Sequence, residues 1–129
     1  MGVGGGSVKP PRFRIRTEFS MELQVVRWDR NEKPTEAALK SRLQAEGLSF
    51  YAWSNGPHDV YEAHSHEYNK VIYCVSGSIT FGLPKLDRNL TLHPGDRLEL
   101  PTGTVHNAVV GGEGVVCLEA HVASGLIVR

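Results

Sequence analysis

From Leu48 to His121 the chain never keeps one hydrophobic pattern for long before glycine or proline interrupts it. Short β-rich segments are read at Phe50–Trp53, Val71–Val75, Ser78–Leu83, Leu90–Leu92, Arg97–Leu100, Val105–Val110 and Val115–Ala120. Between them stand Asn55-Gly56-Pro57, Ser76-Gly77, Pro84, His93-Pro94-Gly95-Asp96, Pro101-Thr102-Gly103 and Gly111-Gly112. Regularly spaced short strands with such turn chemistry predict an all-β sandwich or barrel and argue against alternating βαβ units. The sequence holds no glycine-rich phosphate loop, Walker motif or heptad repeat.

Ahead of this run, Leu23–Val26 reads as a first strand, and residues 35–46 read as one short helix. Thr35 after Pro34 is a helix-start signal, and Gly47 stands where a left-handed residue ends the last turn. Leu39 and Leu43 give a narrow apolar stripe at i,i+4, while Glu36 and Lys40 form a favourable i,i+4 pair. Such a helix packs on something else and carries no chemistry of its own.

The 129 residues suffice for one domain, here residues 21–129, and the charge is balanced at 14 basic and 14 acidic side chains. That balance is uneven: residues 1–20 hold Lys9, Arg12, Arg14 and Arg16 against Glu18, a net of +3, which leaves −3 for the remainder. The glycine-rich opening and Pro10-Pro11 predict a flexible extension, a start placed too early or an expression remnant. The alternative is an arm in which Phe13–Arg16 adds a strand to a sheet edge, including that of a second copy. A domain with no basic excess gives no support for nucleic-acid binding. No apolar run approaches the roughly 20 residues of a membrane span. No apolar stretch follows the leader's charges as in a secretory signal, so a cytoplasmic protein with reduced Cys74 and Cys117 is expected.

Six histidines carry the chemical interest. His64 and His66 are one residue apart, a spacing that puts both rings on one face of a strand. His106 lies forty residues on, in another β-like segment, and joins them only if the fold brings it across. Three imidazoles are enough to start a transition-metal site. His58 and His93 read as loop and surface residues, and His121 as structural.

The surroundings of these histidines resemble the cupins, whose first motif is G-x5-H-x-H-x(3,4)-E-x6-G and whose second is G-x5-P-x-G-x2-H-x3-N. Here His64-Ser65-His66 is followed by Lys70, six residues and Gly77; Gly95 is followed by five residues, Pro101-Thr102-Gly103, two residues and His106. The likeness spans about residues 48–121. It implies a cupin-type jelly-roll barrel with one short N-terminal helix. In it His64, His66 and His106 point into the barrel mouth and hold a divalent transition metal, with Fe, Mn, Ni, Co, Cu and Zn all compatible with imidazole. A small-molecule substrate or ligand and a homodimer are also implied.

The chain departs from the family pattern at Lys70, which takes the register of the usual glutamate ligand, and at Val110, which replaces the closing asparagine. Gly56 lies too far ahead of His64 to serve as the opening glycine. A protonated lysine has no lone pair to offer a metal. Four roles for Lys70 stay open: an anchor for a substrate carboxylate, a base or Schiff-base lysine, an ion-pair partner of Glu67 or Glu119, or a packed stem with its head in water. The expected function is a small metal-dependent enzyme of dioxygenase, isomerase or lyase type, acting on a small polar or carboxylated metabolite. The alternative is a binding or sensing cupin without turnover.

Overall fold

Two long strands organise the molecule. The computed structural model describes residues 21–123 and contains β1 (Gln24–Val26), α1 (Glu36–Ala45), β2 (Phe50–Asn55), β3 (Val60–His64), β4 (Asn69–Leu83), β5 (Arg88–Leu92), β6 (Arg97–Leu100) and β7 (His106–Val122). The main path of the seven-stranded antiparallel sheet runs β1-β6-β4-β7-β2, with β3 pairing β7 and β5 pairing β4. This is the expected all-β architecture with one helix. The Phe13–Arg16 segment lies outside the described residues.

β4 and β7 each merge two of the strands expected from the sequence. Ser76-Gly77 and Gly111-Gly112, which resemble turns between strands in the sequence, are irregularities inside continuous ones, with register shifts between Cys74 and Ser76 and between Gly77 and Ile79. The close approach of two backbones explains the glycine. Gly77 has φ +75°, and a Cβ there would lie 1.9 Å from the carbonyl oxygen of Gly114, so no other residue fits without moving β7.

The irregularity also switches which residues face inward. Ile72 and Cys74 join Ile79, Phe81 and Leu83 in the barrel core, so the inward set changes from even to odd numbers along β4. β7 makes the same switch of parity, from Ala108 and Val110 to Val115 and Cys117. Cys74 and Cys117 are fully buried free thiols opposite one another in register.

The outer face of the same strands carries Val71, Tyr73, Leu118 and Ala120, and α1 covers it with Leu39 and Leu43, both fully buried. Burying each leucine contributes about 1.5–3 kcal/mol, which holds a helix too short to be stable alone. Thr35 caps it, its Oγ1 accepting from Ala38 N at 3.2 Å. Glu46 at its other end accepts both Nη1 (2.7 Å) and Nη2 (2.9 Å) of Arg97, tying the helix to β6.

Candidate metal centre

The hydrophobic pattern does not mark β3, because Val60 and Tyr61 are exposed and no buried alternation runs along it; the strand that the family resemblance implies ahead of His64 is present. It sets the first ligand. His64 is its last residue and pairs in register with His106, the first residue of β7. His66 lies beyond the end of β3, in the connection to β4, so period-two geometry does not place it. The turn of the second motif does. Gly103 N donates to the carbonyl of His66 at 2.8 Å, and Thr102 Oγ1 donates to the same oxygen at 3.1 Å. Asn69, 3% exposed, locks that turn by accepting from Thr102 N at 2.8 Å. The Pro101–Gly103 turn therefore clamps His66 as well as reversing the chain before His106.

Each of the three histidines offers one nitrogen, and these atoms all lie within 4.8 Å of one another. The ring centroids are 4.7 Å (His64–His66), 4.4 Å (His64–His106) and 5.4 Å (His66–His106) apart. The other nitrogens are spent. His64 Nδ1 is 2.6 Å from the Glu62 carbonyl oxygen, and His106 Nδ1 is 2.9 Å from that of Thr104. A carbonyl only accepts, so Nδ1 carries the hydrogen in both rings and Nε2 keeps the lone pair. On His66 the Nδ1 partner is the Tyr68 hydroxyl at 3.1 Å. His66 Nε2 is buried with no hydrogen-bond partner at all.

Buried polar atoms in native proteins are almost always paired, so an orphaned imidazole nitrogen facing two others is a fit for a cation. Burial, reinforced by the charges of Lys70, His64 and His106, lowers the His66 pKa to about 4. Burial likewise lowers that of His106, against the opposing bond to Thr104. Both shifts favour the neutral ring, the form a metal needs.

Beside this centre opens a cavity of about 370 Å³ lined in part by Tyr51, Trp53, Tyr68, Lys70, Phe81 and Glu119. Lys70 projects into it from β4. Its Nζ is 3.2 Å from Glu119 Oε2, with the two side chains 12% and 4% exposed. Of the four roles left open for Lys70, the ion pair with Glu119 is the contact the structure displays. Glu119 also accepts from Tyr51 Oη at 2.8 Å, Trp53 Nε1 at 3.0 Å and His121 Nε2 at 2.6 Å. Burial alone would raise its pKa, but the His121 hydrogen bond, the Lys70 charge and the Tyr51 hydroxyl outweigh it and hold the carboxyl below its ordinary range.

Glu67 is exposed, as are His58 and His93, and none of them belongs to the histidine group. Tyr68 belongs to no motif in the sequence, and its spacing two residues after His66 is the only signal that points to it. Phe50 and Tyr73 pack on the helix side instead of lining the cavity. Tyr51, Trp53, Tyr61, Tyr68 and Phe81 all line the cavity.

A cupin domain model matches residues 46–121, more than half of the chain. No curated protein matches the sequence. Among solved structures, the chain is similar to a polyketide cyclase from Streptomyces resistomycificus, at 26% identity over 64% of this chain and 58% of that one, with a TM-score of 0.54. It is also similar to a chain described under DMSP lyases (24% identity, 60% and 40% coverage, TM-score 0.53). A DUF861 family protein from Thermotoga maritima aligns over 76% of this chain and 97% of its own, at 19% identity and a TM-score of 0.50. The last two likenesses establish the fold alone. Among the described residues no helix is long and apolar enough to cross a membrane. With the domain match spanning both histidine motifs and the barrel built around them, the chain belongs to the cupin family.

Proposed function

We propose that this cupin is a metal-dependent enzyme that binds a small polar metabolite at a divalent transition metal held by His64, His66 and His106. The observation that carries the reading is the set of three imidazoles with Nδ1 committed, one of which leaves a buried Nε2 with no partner. Structural metal sites close their coordination with protein ligands, whereas catalytic ones keep a position for water or substrate. With Lys70 in the register of the fourth ligand and engaged with Glu119, this centre has three protein ligands and an adjoining cavity.

When bound, the metal supplies Lewis-acid or oxygen chemistry at a ligand oxygen. The chain's own residues do the rest. Glu62 and Thr104 carbonyls fix two ring tautomers, Tyr68 orients the third, and Glu119 holds Lys70 at the cavity wall. Isomerase, lyase and dioxygenase chemistry all suit such a centre, and the polyketide cyclase among the structural neighbours supports a catalytic role over a purely binding one.

One observation favours a second reading, a binder without turnover. Glu119 is the one carboxylate among the described residues lining the cavity, and it already accepts from four donors, so it is not an idle base. The test is metal analysis of untagged protein, followed by oxygen uptake and consumption assays across small oxygenated metabolites. Near-stoichiometric metal with turnover supports the enzyme; metal with binding but no turnover supports the binder. Metal content that His106→Ala leaves unchanged defeats both.

A further inference from the structure

The polar tips around the cavity are almost all turned onto the protein. Tyr51 Oη and Trp53 Nε1 both donate to Glu119, Tyr61 Oη donates to Asn55 Oδ1, and Tyr68 Oη pairs with His66 Nδ1. Aromatic residues of this kind have an apolar body and a polar handle. Here four handles are occupied, so what remains for a ligand is ring surface, joined by Phe81 and Ile72. Trp53 and Tyr61 meet edge to face at 6.2 Å, which fixes the two rings relative to one another. Tyr51 and Tyr61 are 50% and 38% exposed, so ring surface continues to the rim.

The cation on the wall is already neutralised. A ligand carboxylate that reaches the remaining donors of the ammonium also comes up against the Glu119 carboxylate, 3.2 Å from Lys70 Nζ, so the pair offers it little net attraction. The cavity therefore discriminates between the two ends of a ligand. Oxygen donors are welcome at the three histidines, and charge is unwelcome along the wall.

We propose that this cavity takes a ligand with a single oxygen-donor end directed at the three histidines and an uncharged aromatic or otherwise planar apolar body, with no second carboxylate. At about 370 Å³ the space suits one or two rings. The proposal rests on the metal-centre reading above and narrows its substrate class: the carboxylated metabolites expected from a free Lys70 give way to ring-bearing ones.

The test uses the full chain loaded with cobalt(II) and titrated calorimetrically with three hydroxamates that share one chelating head. Acetohydroxamate carries a methyl, benzohydroxamate a phenyl ring, and succinic monohydroxamate a second, charged carboxylate. Benzohydroxamate is expected to bind about tenfold or more tighter than acetohydroxamate, as burial of a ring predicts. Succinic monohydroxamate is expected to bind no tighter than acetohydroxamate. A phenyl compound no tighter than the methyl one, or a succinyl compound tighter than it, overturns the proposal while leaving the metal centre intact. Failure to take up cobalt overturns both.

Glu119→Gln sharpens the second half. Freeing Lys70 is expected to raise the affinity for succinic monohydroxamate by about tenfold, the scale of one charge-assisted hydrogen bond. That gain is expected to vanish in Lys70→Met/Glu119→Gln. No gain in folded Glu119→Gln overturns the claim that Glu119 neutralises Lys70. If that variant does not fold, the hydroxamate series on the unmodified chain still decides.

Discussion

His66 and His121 both lie against Tyr68, and yet they are in opposite states. His66 keeps a buried Nε2 without a partner, while His121 places its Nε2 2.6 Å from Glu119. Tyr68 touches both, hydrogen-bonded to His66 at 3.1 Å and stacked on His121 with ring centroids 4.0 Å apart. Around His121 the network is closed: four donors converge on one carboxylate. Around His66, His64 and His106 it is open, with three nitrogens turned toward one point. The contrast shows that a histidine's function is read from what its second nitrogen lacks, because a satisfied ring and a waiting ring look alike in a sequence.

The most direct way to break the contrast is His106→Ala, which removes the buried member of the open set. Metal binding is expected to fall by more than the roughly 10–100-fold that follows loss of an outer partner. Competition titration against a chelator measures it, and an unchanged affinity would remove His106 from the site.

Next comes the closed network. Lys70→Met leaves Glu119 buried without its cation and is expected to cost about 3–5 kcal/mol in chemical denaturation, with Glu119→Gln costing similarly. The double variant should recover most of that loss, since no unpaired charge remains. Simple additivity of the two losses would show that the pair is not coupled.

Tyr68→Phe tests the residue shared by both sets. Losing the hydroxyl beside His66 is expected to weaken metal binding by about tenfold or somewhat more, with little change in folding stability. An unchanged affinity would mean that the His66 ring needs no orienting partner.

The last test is the pH dependence of the metal-free protein. Unfolded His66 takes up its proton near 6.5, whereas the folded ring does so only near 4. Between those values the unfolded state binds more protons, so stability should fall as pH drops from about 6.5 to 4. Glu119 acts in the same direction at lower pH: its folded pKa is depressed, so its contribution is lost as pH falls through that value. Denaturation midpoints across this range should decline in the unmodified chain and decline less steeply between pH 6.5 and 4 in His66→Phe, where His106 still resists protonation. An equal slope in both would assign the acid sensitivity elsewhere.

Much of this was legible in the amino acids. Turn residues at Gly95-Asp96 and Pro101–Gly103 announce strand reversals because only certain backbones accept them, and the two motifs carried His64, His66 and His106. Gly95 illustrates the local logic, with φ +92° and a would-be Cβ 2.6 Å from Trp28 Cβ. The strand β3 was not legible in the hydrophobic pattern, since an edge strand with exposed Val60 and Tyr61 lacks the alternation that burial imposes. The merging of strands into β4 and β7 was hidden for another reason. Gly77 and Gly111-Gly112 are as compatible with a bulge as with a turn, and only the partner strand decides between them. The wall chemistry was partly visible: Glu119 could be named as a partner of Lys70, but the other three donors come from β2 and the far end of β7, contacts that no local pattern encodes.

The crossing at Gly77 and Gly114 has a consequence for how this chain tolerates changes of length. Lys70, Ile72 and Cys74 belong to the inward side before it, and Ile79, Phe81 and Leu83 after it, at opposite sequence parity. Removing one residue between Cys74 and Ile79, where the register shifts lie, would put both halves of β4 on one alternation and so turn one half inside out. Either Lys70 would leave the cavity or Phe81 would. Loops elsewhere on the barrel can lengthen at small entropic cost, but here insertions and deletions are admissible only when matched by a compensating change opposite, in Gly111–Gly114. Alignments of sequences built on this barrel should therefore place gaps in those two segments together or not at all.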